Sequence, residues 1–451
     1  PKPSYLQHVV LPAKLMSLEC ICLQSRSSRC VFEPVRVARH QPGEHDVTID
    51  VKFCGVCHSD VHVAKNDFLE TKFPVVPGHE IAGVVAAVGA RVTKFRVGDH
   101  VGVGFFVDSC LECAPCKRGD EHFCSATFTP TFNGKPAHGR AGAGVTKGGY
   151  STAMVVDERF AIALPKALPL ERAGPLLCAG VTMYAPLVKW RVGPGSRVGI
   201  NGLGGLGTIG VKLAKALGAH VTVITRSARK ERQARAAGAD AIVLSSDAAS
   251  IKAAARSLDL VVDTVSVRHD LKVSALAPGG LIDLLAVDGV WCYCGLILDM
   301  LDVQPVRLLQ HQLSLTATQI GGIALTQRCV DFCAKHAILP EVEVVEATPA
   351  QLSAVYEKLD GGNDAGVRYV LDIGNTLNAS VFEQPRARAP KLVSGWRVGA
   401  QIALILNRAA LARIEEFVLE HTAAIAGGVG AALFAAVAAF VIPPLASRIR
   451  G

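Results

Sequence analysis

The sequence is poor in aromatic residues and in charge. Aromatic residues make up 6 % of its 451 residues and charged residues 19 %. Although the formal net charge is +8, Lys and Arg are scattered, and no basic stripe is interleaved with aromatic side chains. A nucleic-acid-binding surface needs such a stripe, so we expect no nucleic-acid partner. The first 31 residues lack the basic-then-apolar pattern and cleavage site of a secretion signal.

Apolar residues, glycine and cysteine are abundant. Hydrophobic residues at 50 % and 43 glycines suit an α/β enzyme whose parallel strands are buried on both faces. The length favours two domains with an appendage. The 14 cysteines are partly clustered at metal-ligand spacing, which indicates free thiols in a reducing, cytoplasmic compartment. Seven cysteines have no motif and are expected to be small buried residues: Cys20, Cys22, Cys30, Cys292, Cys294, Cys329 and Cys333.

Four cysteines follow the spacing C-x2-C-x2-C-x7-C: Cys110, Cys113, Cys116 and Cys124. Four thiolates saturate a tetrahedral zinc ion and leave no open position, so this spacing predicts a structural zinc site that orders its loop. An iron–sulfur cluster also takes four cysteines, but its usual spacings differ.

A glycine-rich loop lies between a short apolar segment, residues 196–201, and a helix-like segment, residues 208–217. In this context the glycines permit a tight turn and let helix N-terminal amides approach a pyrophosphate. The loop therefore predicts a dinucleotide site, formed by Gly202, Leu203, Gly204, Gly205, Leu206 and Gly207.

The next predicted strand, His220–Thr225, ends where an acidic residue would bind the ribose hydroxyls of NAD. This chain has Thr225 there, followed by Arg226, Ser227 and Lys230, which suit a 2′-phosphate. We therefore predict NADP(H) rather than NAD(H). The alternative, a solvated start of the following helix, explains the charges but not the missing acid.

A second motif surrounds a histidine. Gly78-His79-Glu80 is followed after two residues by Gly83, after five more by Gly89 and after a further two by Val92. Two further segments accompany it, C-G-V-C-H-S-D-V-H at residues 54–62 and L-L-C-A-G-V-T at residues 176–182. Together they resemble the zinc-containing alcohol dehydrogenase family of medium-chain dehydrogenases/reductases, in particular its cinnamyl alcohol dehydrogenase branch. The resemblance extends from about residue 32 to residue 377.

The resemblance implies a catalytic zinc held by Cys57, His79 and Cys178, with a fourth position open to substrate. Glu80 is expected to be either a carboxylate behind the ligands or a transient fourth ligand. Two zinc ions per chain are thus expected.

The resemblance also implies that Ser59 and His62 relay a proton between the buried site and solvent. Imidazole is suited to that exchange near neutral pH. The alternative for Ser59 is a plain helix cap. Further cofactor contacts are implied for Thr182, Thr264 and Gly295.

The implied fold combines a GroES-like, β-rich catalytic domain (residues 32–178 and 318–377) with a Rossmann doubly wound parallel sheet (residues 179–317). Residues 318–322 resemble the segment through which family dimers pair, so a homodimer is expected. Residues 1–31 do not resemble the family's first strands, and because the chain begins with Pro rather than Met, its natural start is expected to lie elsewhere.

The C-terminal extension, residues 378–451, lies outside the resemblance and is expected to be helical. Its residues 423–442 carry no formal charge and are long enough to span a bilayer. Because the segment is rich in Ala and Gly, a buried or helix-pairing segment is the alternative to membrane association.

The predicted function is that of a zinc-dependent, NADP(H)-linked alcohol dehydrogenase and aldehyde reductase. A zinc-independent quinone or enoyl reductase and a catalytically idle membrane-tethered binding protein are the alternatives. Residues 129–132 and 319–320 do not match the aromatic pocket of lignin-forming members, so a broad range of small aldehydes is expected.

Overall fold

The computed structural model describes residues 18–392 except 143, 268, 270, 272–278, 298–304, 363–365 and 386. The predicted segment at residues 423–442 and most of the C-terminal extension lie outside the described residues. Within the described part, no helix is long and apolar enough to cross a membrane.

The secondary structure alternates short strands with short helices. The strands are β1 (Glu19–Ser25), β2 (Phe32–Ala38), β3 (Asp46–Val56), β4 (Glu80–Val88), β5 (His100–Val103), β6 (Phe106–Asp108), β7 (Thr129–Pro130), β8 (Ala153–Asp157), β9 (Ala161–Ala163), β10 (Arg197–Asn201), β11 (His220–Thr225), β12 (Ala241–Leu244), β13 (Leu258–Asp263), β14 (Leu285–Tyr293), β15 (Ser314–Ala317), β16 (Val342–Glu346) and β17 (Arg368–Asp372). The helices are α1 (His58–Ala64), α2 (Ala114–Lys117), α3 (Leu170–Ala173), α4 (Ala179–Lys189), α5 (Gly205–Ala216), α6 (Glu231–Ala237), α7 (Ala248–Ala253), α8 (Pro305–His311), α9 (Ile323–Lys335), α10 (Pro349–Asp360) and α11 (Ile373–Thr376).

Six parallel strands form one sheet in the order β12-β11-β10-β13-β14-β15. Val198 and Ile200 of β10 and Val221 and Val223 of β11 are fully buried, as expected for central strands covered by helices. The order reverses between β10 and β13, so the connections leave a crevice at the carboxyl ends of these two strands. The predicted Rossmann sheet is confirmed.

The second sheet has the order β16-β17-β3-β4-β5-β9, and β8 also pairs with β3. Its centre is β3, whose Val47, Ile49 and Val51 are fully buried. β16 and β17 follow the parallel sheet in the chain and return to pair beside β3, with Tyr369 opposite Val56. The predicted combination of a β-rich GroES-like domain with a Rossmann sheet is therefore confirmed.

The described part of the chain begins with a hairpin whose first strand, β1, was not predicted from the sequence. β1 pairs antiparallel with β2 over seven residues, and Leu23 N–H donates to Tyr150 O at 2.9 Å. β1 is largely buried because its inward side chains are small or apolar, including Cys22 and Leu23, whereas most of β2 is partly exposed. Six of the seven cysteines without a motif are buried as predicted, whereas Cys294 is partly exposed.

Candidate metal centres and cofactor site

Four side chains from three distant parts of the chain converge in one buried cluster. Cys57 follows β3 and begins α1, His79 and Glu80 lie where β4 begins, and Cys178 precedes α4. Their ligand atoms all lie within 4.8 Å of one another. The Cys57 and Cys178 sulfurs are 3.9 Å apart, and His79 Nε2 is 3.3 Å from Cys178 Sγ.

These separations fit a tetrahedral zinc ion. With Zn–S about 2.3 Å and Zn–N about 2.0–2.1 Å, two sulfurs would be about 3.8 Å apart and sulfur and nitrogen about 3.6 Å apart. The observed 3.9 and 3.3 Å are close to both values. The donor set of two thiols and one imidazole is also typical of zinc rather than of magnesium or calcium.

Asp60 fixes the orientation of His79. Its fully buried carboxylate accepts from His79 Nδ1 at 3.0 Å, which directs Nε2 toward the cluster. It also accepts from the backbone N–H groups of Cys57 at 2.8 Å and Gly78 at 3.0 Å. The sequence analysis did not single out Asp60, although an acidic residue three positions after a predicted ligand was a usable signal.

Glu80 is fully buried and forms an ion pair with Arg368 of β17, with Nη2 2.9 Å from Oε1. Burial raises the pKa of Glu80 to about 7, although Arg368 acts in the opposite direction. A Cβ at Gly55 would lie 2.0 Å from Glu80 Oε2, so only glycine leaves room for this carboxylate. Arg368 was also missed, although a charged residue in an apolar strand is uncommon enough to be a signal.

The contact between the two thiols shifts the pKa values of Cys57 and Cys178 in opposite directions. The hydrogen bond from Cys178 lowers the pKa of Cys57 well below its ordinary value, and the same contact raises the pKa of Cys178. One thiolate is therefore favoured in the cluster even without a cation, which prepares it for metal binding.

Helix α1 leads from this cluster toward solvent. Ser59 Oγ lies 3.7 Å from Cys57 Sγ, and His62 follows one turn later on the same face. His62 Nδ1 is 2.8 Å from Oδ2 of Asp67, a buried residue that the sequence analysis missed. Cys57 is the N-cap of α1, so the alternative of Ser59 as the cap does not describe this helix.

The four-cysteine loop forms a second cluster of ligand atoms within 4.8 Å of one another. Cys110 and Cys116 sulfurs are 3.8 Å apart, and Cys113 and Cys124 sulfurs are 4.0 Å apart, close to the edge of a ZnS4 tetrahedron. Backbone N–H groups donate to these sulfurs, including that of Ser125 to Cys113 at 3.4 Å. Hydrogen bonds from the backbone N–H groups of Cys116 and Ser125 lower the pKa of Cys113 to about 6, which favours its thiolate.

Close contacts require glycine at two positions of the glycine-rich loop, Gly202 and Gly207. Gly202 has φ +88°, and a Cβ there would be 2.8 Å from Thr264 Oγ1. A Cβ at Gly207 would be 2.0 Å from Gly202 O, so α5 can pack this closely only with glycine. Among the described residues, nothing lies within 4 Å of a Cβ position at Gly204, so these residues leave that side of the loop open to a ligand. α5 begins at Gly205 and offers its N-terminal amides there.

The residues after β11 lie beside this loop. Thr225 is buried at the end of the strand, and Ser227 accepts from Arg229 N–H at 3.3 Å. Lys230 Nζ donates to Leu203 O at 3.0 Å, so its ammonium group is held against the glycine-rich loop. Arg226 is exposed next to them.

The remaining predicted cofactor residues gather at the carboxyl ends of neighbouring parallel strands. Thr264 Oγ1 donates to Asn201 O at 2.8 Å, and a Cβ at Gly295 would be 2.4 Å from Val265 O. Thr182 of α4 accepts a weak bond from Cys294 Sγ at 3.8 Å. These contacts place the three predicted residues at the sheet edge to which the glycine-rich loop belongs.

Asp263, which the sequence analysis did not single out, ties three of these strand ends together. Its fully buried carboxylate accepts from Asn201 Nδ2 at 2.9 Å and from Trp291 Nε1 at 3.0 Å. The edge of β10, β13 and β14 is therefore fixed before any ligand binds.

Two family models match the chain: "Alcohol dehydrogenase GroES-like domain" over residues 43–166 and "Zinc-binding dehydrogenase" over residues 205–335. The NADP-dependent alcohol dehydrogenase C 1 of Mycolicibacterium smegmatis is 45 % identical over 337 residues, covering 74 % of this chain and 93 % of the relative. The probable cinnamyl alcohol dehydrogenase 3 of Oryza sativa subsp. japonica is 41 % identical over 368 residues, covering 81 % of this chain and 96 % of the relative.

Solved structures give the same pattern of similarity. A cinnamyl alcohol dehydrogenase from Sorghum bicolor has a TM-score of 0.73 and 38 % identity, covering 80 % of this chain and 99 % of that one. The CAD from Helicobacter pylori complexed with NADP(H) has a TM-score of 0.72 and 34 % identity, covering 80 % of this chain and 100 % of that one.

Proposed function

The chain belongs to the zinc-binding alcohol dehydrogenase family, and from this premise we propose that it interconverts primary alcohols and aldehydes by hydride transfer with NADP(H). The observation that carries the proposal is the buried convergence of Cys57, His79 and Cys178, with Glu80 behind them. Two thiols and an imidazole leave the fourth corner of a tetrahedral site available to a substrate oxygen.

We assign the catalytic zinc to Cys57, His79 and Cys178, and the structural zinc to the four-cysteine loop. When bound, zinc polarises the substrate oxygen, and NADP(H) supplies or accepts the hydride. Asp60 holds His79 in the tautomer that leaves Nε2 free as a ligand. Arg368 balances the buried charge of Glu80 beside the ligands, whether or not Glu80 itself binds the metal.

Ser59 and His62 are proposed to move the alcohol proton. Ser59 lies beside the ligand Cys57, and His62 is partly exposed, with 25 % of its side chain accessible. The hydroxyl would pass the proton along α1 to the imidazole, which exchanges it with water near neutral pH. Asp67 Oδ2 lies 2.8 Å from Nδ1 of this ring and fixes its orientation.

For the cofactor, we assign the pyrophosphate to the glycine-rich loop and the start of α5. Lys230, Arg226, Ser227 and Thr225 would surround a 2′-phosphate, because they provide cations and hydroxyl groups and no acid. Thr182, Thr264 and Gly295 complete the proposed cofactor contacts at the sheet edge. The family relatives named as NADP-dependent support this assignment.

The substrate class is proposed to be small aldehydes and primary alcohols. Aromatic side chains lie beside the proposed metal ligands: the Phe132 ring is stacked near His79, with 5.8 Å between ring centroids. The Phe105 ring stands edge-on to His79 with 5.6 Å between ring centroids. This surface suits the hydrocarbon part of an aldehyde whose oxygen faces the metal ligands.

A homodimer remains part of the proposal. β15 is an edge strand of the parallel sheet in the described part of the chain, and its side chains are only partly covered. Exposed edges of this kind pair with a second copy or must be protected.

All fourteen cysteines are free thiols, which supports the proposed reducing compartment.

Zinc content and cofactor preference test the proposal. We expect about two zinc ions per chain, one for each ligand cluster, and a higher kcat/KM for benzaldehyde reduction with NADPH than with NADH. Equal or better efficiency with NADH would contradict the cofactor assignment. Quinone or enoyl reduction by a zinc-free protein would contradict the zinc mechanism, and zinc in the four-cysteine loop alone, without turnover, would indicate an idle protein.

A further inference from the structure

A buried charged cluster surrounds the outer end of the proposed proton path. We call it the relay cluster and define it as His62, Lys65, Asp67 and Asp360. Asp67 Oδ2 is 2.8 Å from His62 Nδ1 and 3.8 Å from Lys65 Nζ. Lys65 Nζ is also 2.6 Å from Asp360 Oδ1. The side chains of Lys65 and Asp360 are each only 9 % exposed, and that of Asp67 is 2 % exposed.

The cluster joins two elements that are far apart in sequence. His62 lies on α1 and Lys65 is its C-cap, whereas Asp360 is the last residue of α10. Lysine and aspartate side chains are rarely this buried unless they are paired. The pairing is therefore built into the packing of α1 against α10 and is not an incidental surface contact.

Two titratable groups near the cluster, among the residues that the structure describes, favour their uncharged forms. Burial lowers the pKa of His58, whose ring centroid is 5.8 Å from that of His62. Burial raises the pKa of Cys30, which approaches the cluster from the turn between β1 and β2, to about 12. Asp60 of α1 is bonded to His79 instead. Within the relay cluster, the charges around His62 are those of one lysine and two aspartates.

We propose that the Lys65–Asp360 pair positions and electrically balances Asp67, and thereby sets the pH range in which His62 relays the alcohol proton. The inference rests on the proposed function, because it assigns a role within the same proton path. In this proposal Lys65 and Asp360 are positioning residues that act through Asp67 and His62.

The sign of each charge change follows from the cluster. Within the relay cluster, His62 faces one ammonium group and two carboxylates. Removing the ammonium of Lys65 leaves two carboxylates, which stabilise the protonated imidazole. Removing the carboxylate of Asp360 leaves Lys65 to offset Asp67, which destabilises the protonated imidazole. Alcohol oxidation needs the unprotonated ring as proton acceptor, so the two changes should shift its pH dependence in opposite directions.

The experiment measures kcat for benzyl alcohol oxidation at saturating NADP+ across pH in the zinc-loaded full chain. In Lys65→Met we expect the acidic limb of the plot of kcat against pH to move to higher pH by about 0.5–1 unit. In Asp360→Asn we expect this limb to move to lower pH by a similar amount. The double variant Lys65→Met/Asp360→Asn should return close to the wild-type profile. Lys215→Met, which breaks the distant ion pair with Asp240 at 2.8 Å, is the matched control and should leave the limb in place.

A merely structural role would lower kcat in both single variants without opposite shifts of the limb, and that result would overturn the inference. Lys65→Arg keeps the charge and should keep the profile. If Lys65→Met does not fold, Asp360→Asn and the double variant still decide the matter, because an unmoved limb in Asp360→Asn contradicts the proposal. A wild-type protein without NADP-linked alcohol oxidation would instead refute the proposed function itself.

Discussion

At the scale of single residues, the cofactor site depends on one missing acid and one anchored lysine. Thr225 ends β11 where a carboxylate would bind ribose hydroxyls and repel a 2′-phosphate. Lys230 is held by its bond to Leu203 O at 3.0 Å, so its charge stays next to the glycine-rich loop. An anchored ammonium loses less conformational freedom on binding a phosphate than a free surface lysine does.

We therefore expect Lys230→Ala to reduce the preference for NADPH over NADH. A charge-assisted hydrogen bond contributes about 1.5–3 kcal/mol, which corresponds to a loss of roughly 10- to 100-fold in kcat/KM with NADPH and little change with NADH. Steady-state kinetics with both cofactors measure this. Lys252→Ala, at an exposed lysine of α7, is the control. An unchanged NADPH/NADH ratio in Lys230→Ala would contradict the assignment.

At the scale of elements, the two metal clusters differ in what supports them. The proposed catalytic ligands lie at the ends of β3, β4 and α4, elements that belong to the buried core. The four-cysteine loop has only the four-residue helix α2, a single 3-10 turn at Glu121–Phe123, and residues such as Leu111 with φ +64°. A loop with so little packing of its own depends on its metal for order.

Substitution of one ligand in each cluster should therefore have different consequences. Cys178→Ser should abolish most aldehyde reduction with little change in melting temperature, because an open metal site activates substrate and does not close a loop. Cys113→Ser should lower the melting temperature, the soluble yield and the zinc content together. Cys333→Ala, a buried cysteine outside both clusters, is the control for loss of a thiol. Wild-type turnover in Cys178→Ser, or an unchanged melting temperature and full zinc in Cys113→Ser, would refute the respective assignment.

At the scale of the whole molecule, the chain returns to the first sheet after completing the parallel one. β17 pairs with β3 and brings Arg368 against Glu80, residues that are nearly 300 positions apart. Both side chains are buried, so removing one partner leaves the other charge without compensation in a low-dielectric environment. This contact couples the end of the catalytic domain to the residues beside the metal ligands.

We expect Arg368→Met to reduce the free energy of unfolding by about 3–5 kcal/mol. Chemical denaturation of the zinc-loaded protein measures the change. Arg197→Met, which breaks the half-exposed pair with Asp259, is the matched control and should cost about 1 kcal/mol or less. If both variants lost the same small amount, Arg368 would not be the required partner of Glu80.

The parallel sheet could be predicted because its information is local. The order of an apolar strand, glycine-rich loop and helix at residues 196–217 defines one unit, and later apolar strands repeat it. The hairpin strand β1 was missed because its burial depends on pairing with β2 and on contacts with residues 150–152, far along the chain. A short segment with partners at such distances shows no periodicity of its own.

The sequence by itself determined the chemistry of this protein. Cysteine spacing, the Gly-His-Glu motif and the glycine-rich loop are covalent patterns whose residue types suit zinc and a dinucleotide. Only the tertiary structure decided which charges surround that chemistry. Asp60 behind His79, Arg368 against Glu80 and Asp360 beside Lys65 come from hydrogen bonds and ion pairs between segments that the sequence separates. Their physical basis is the cost of burying an unpaired charge, which folding avoids by bringing distant partners together.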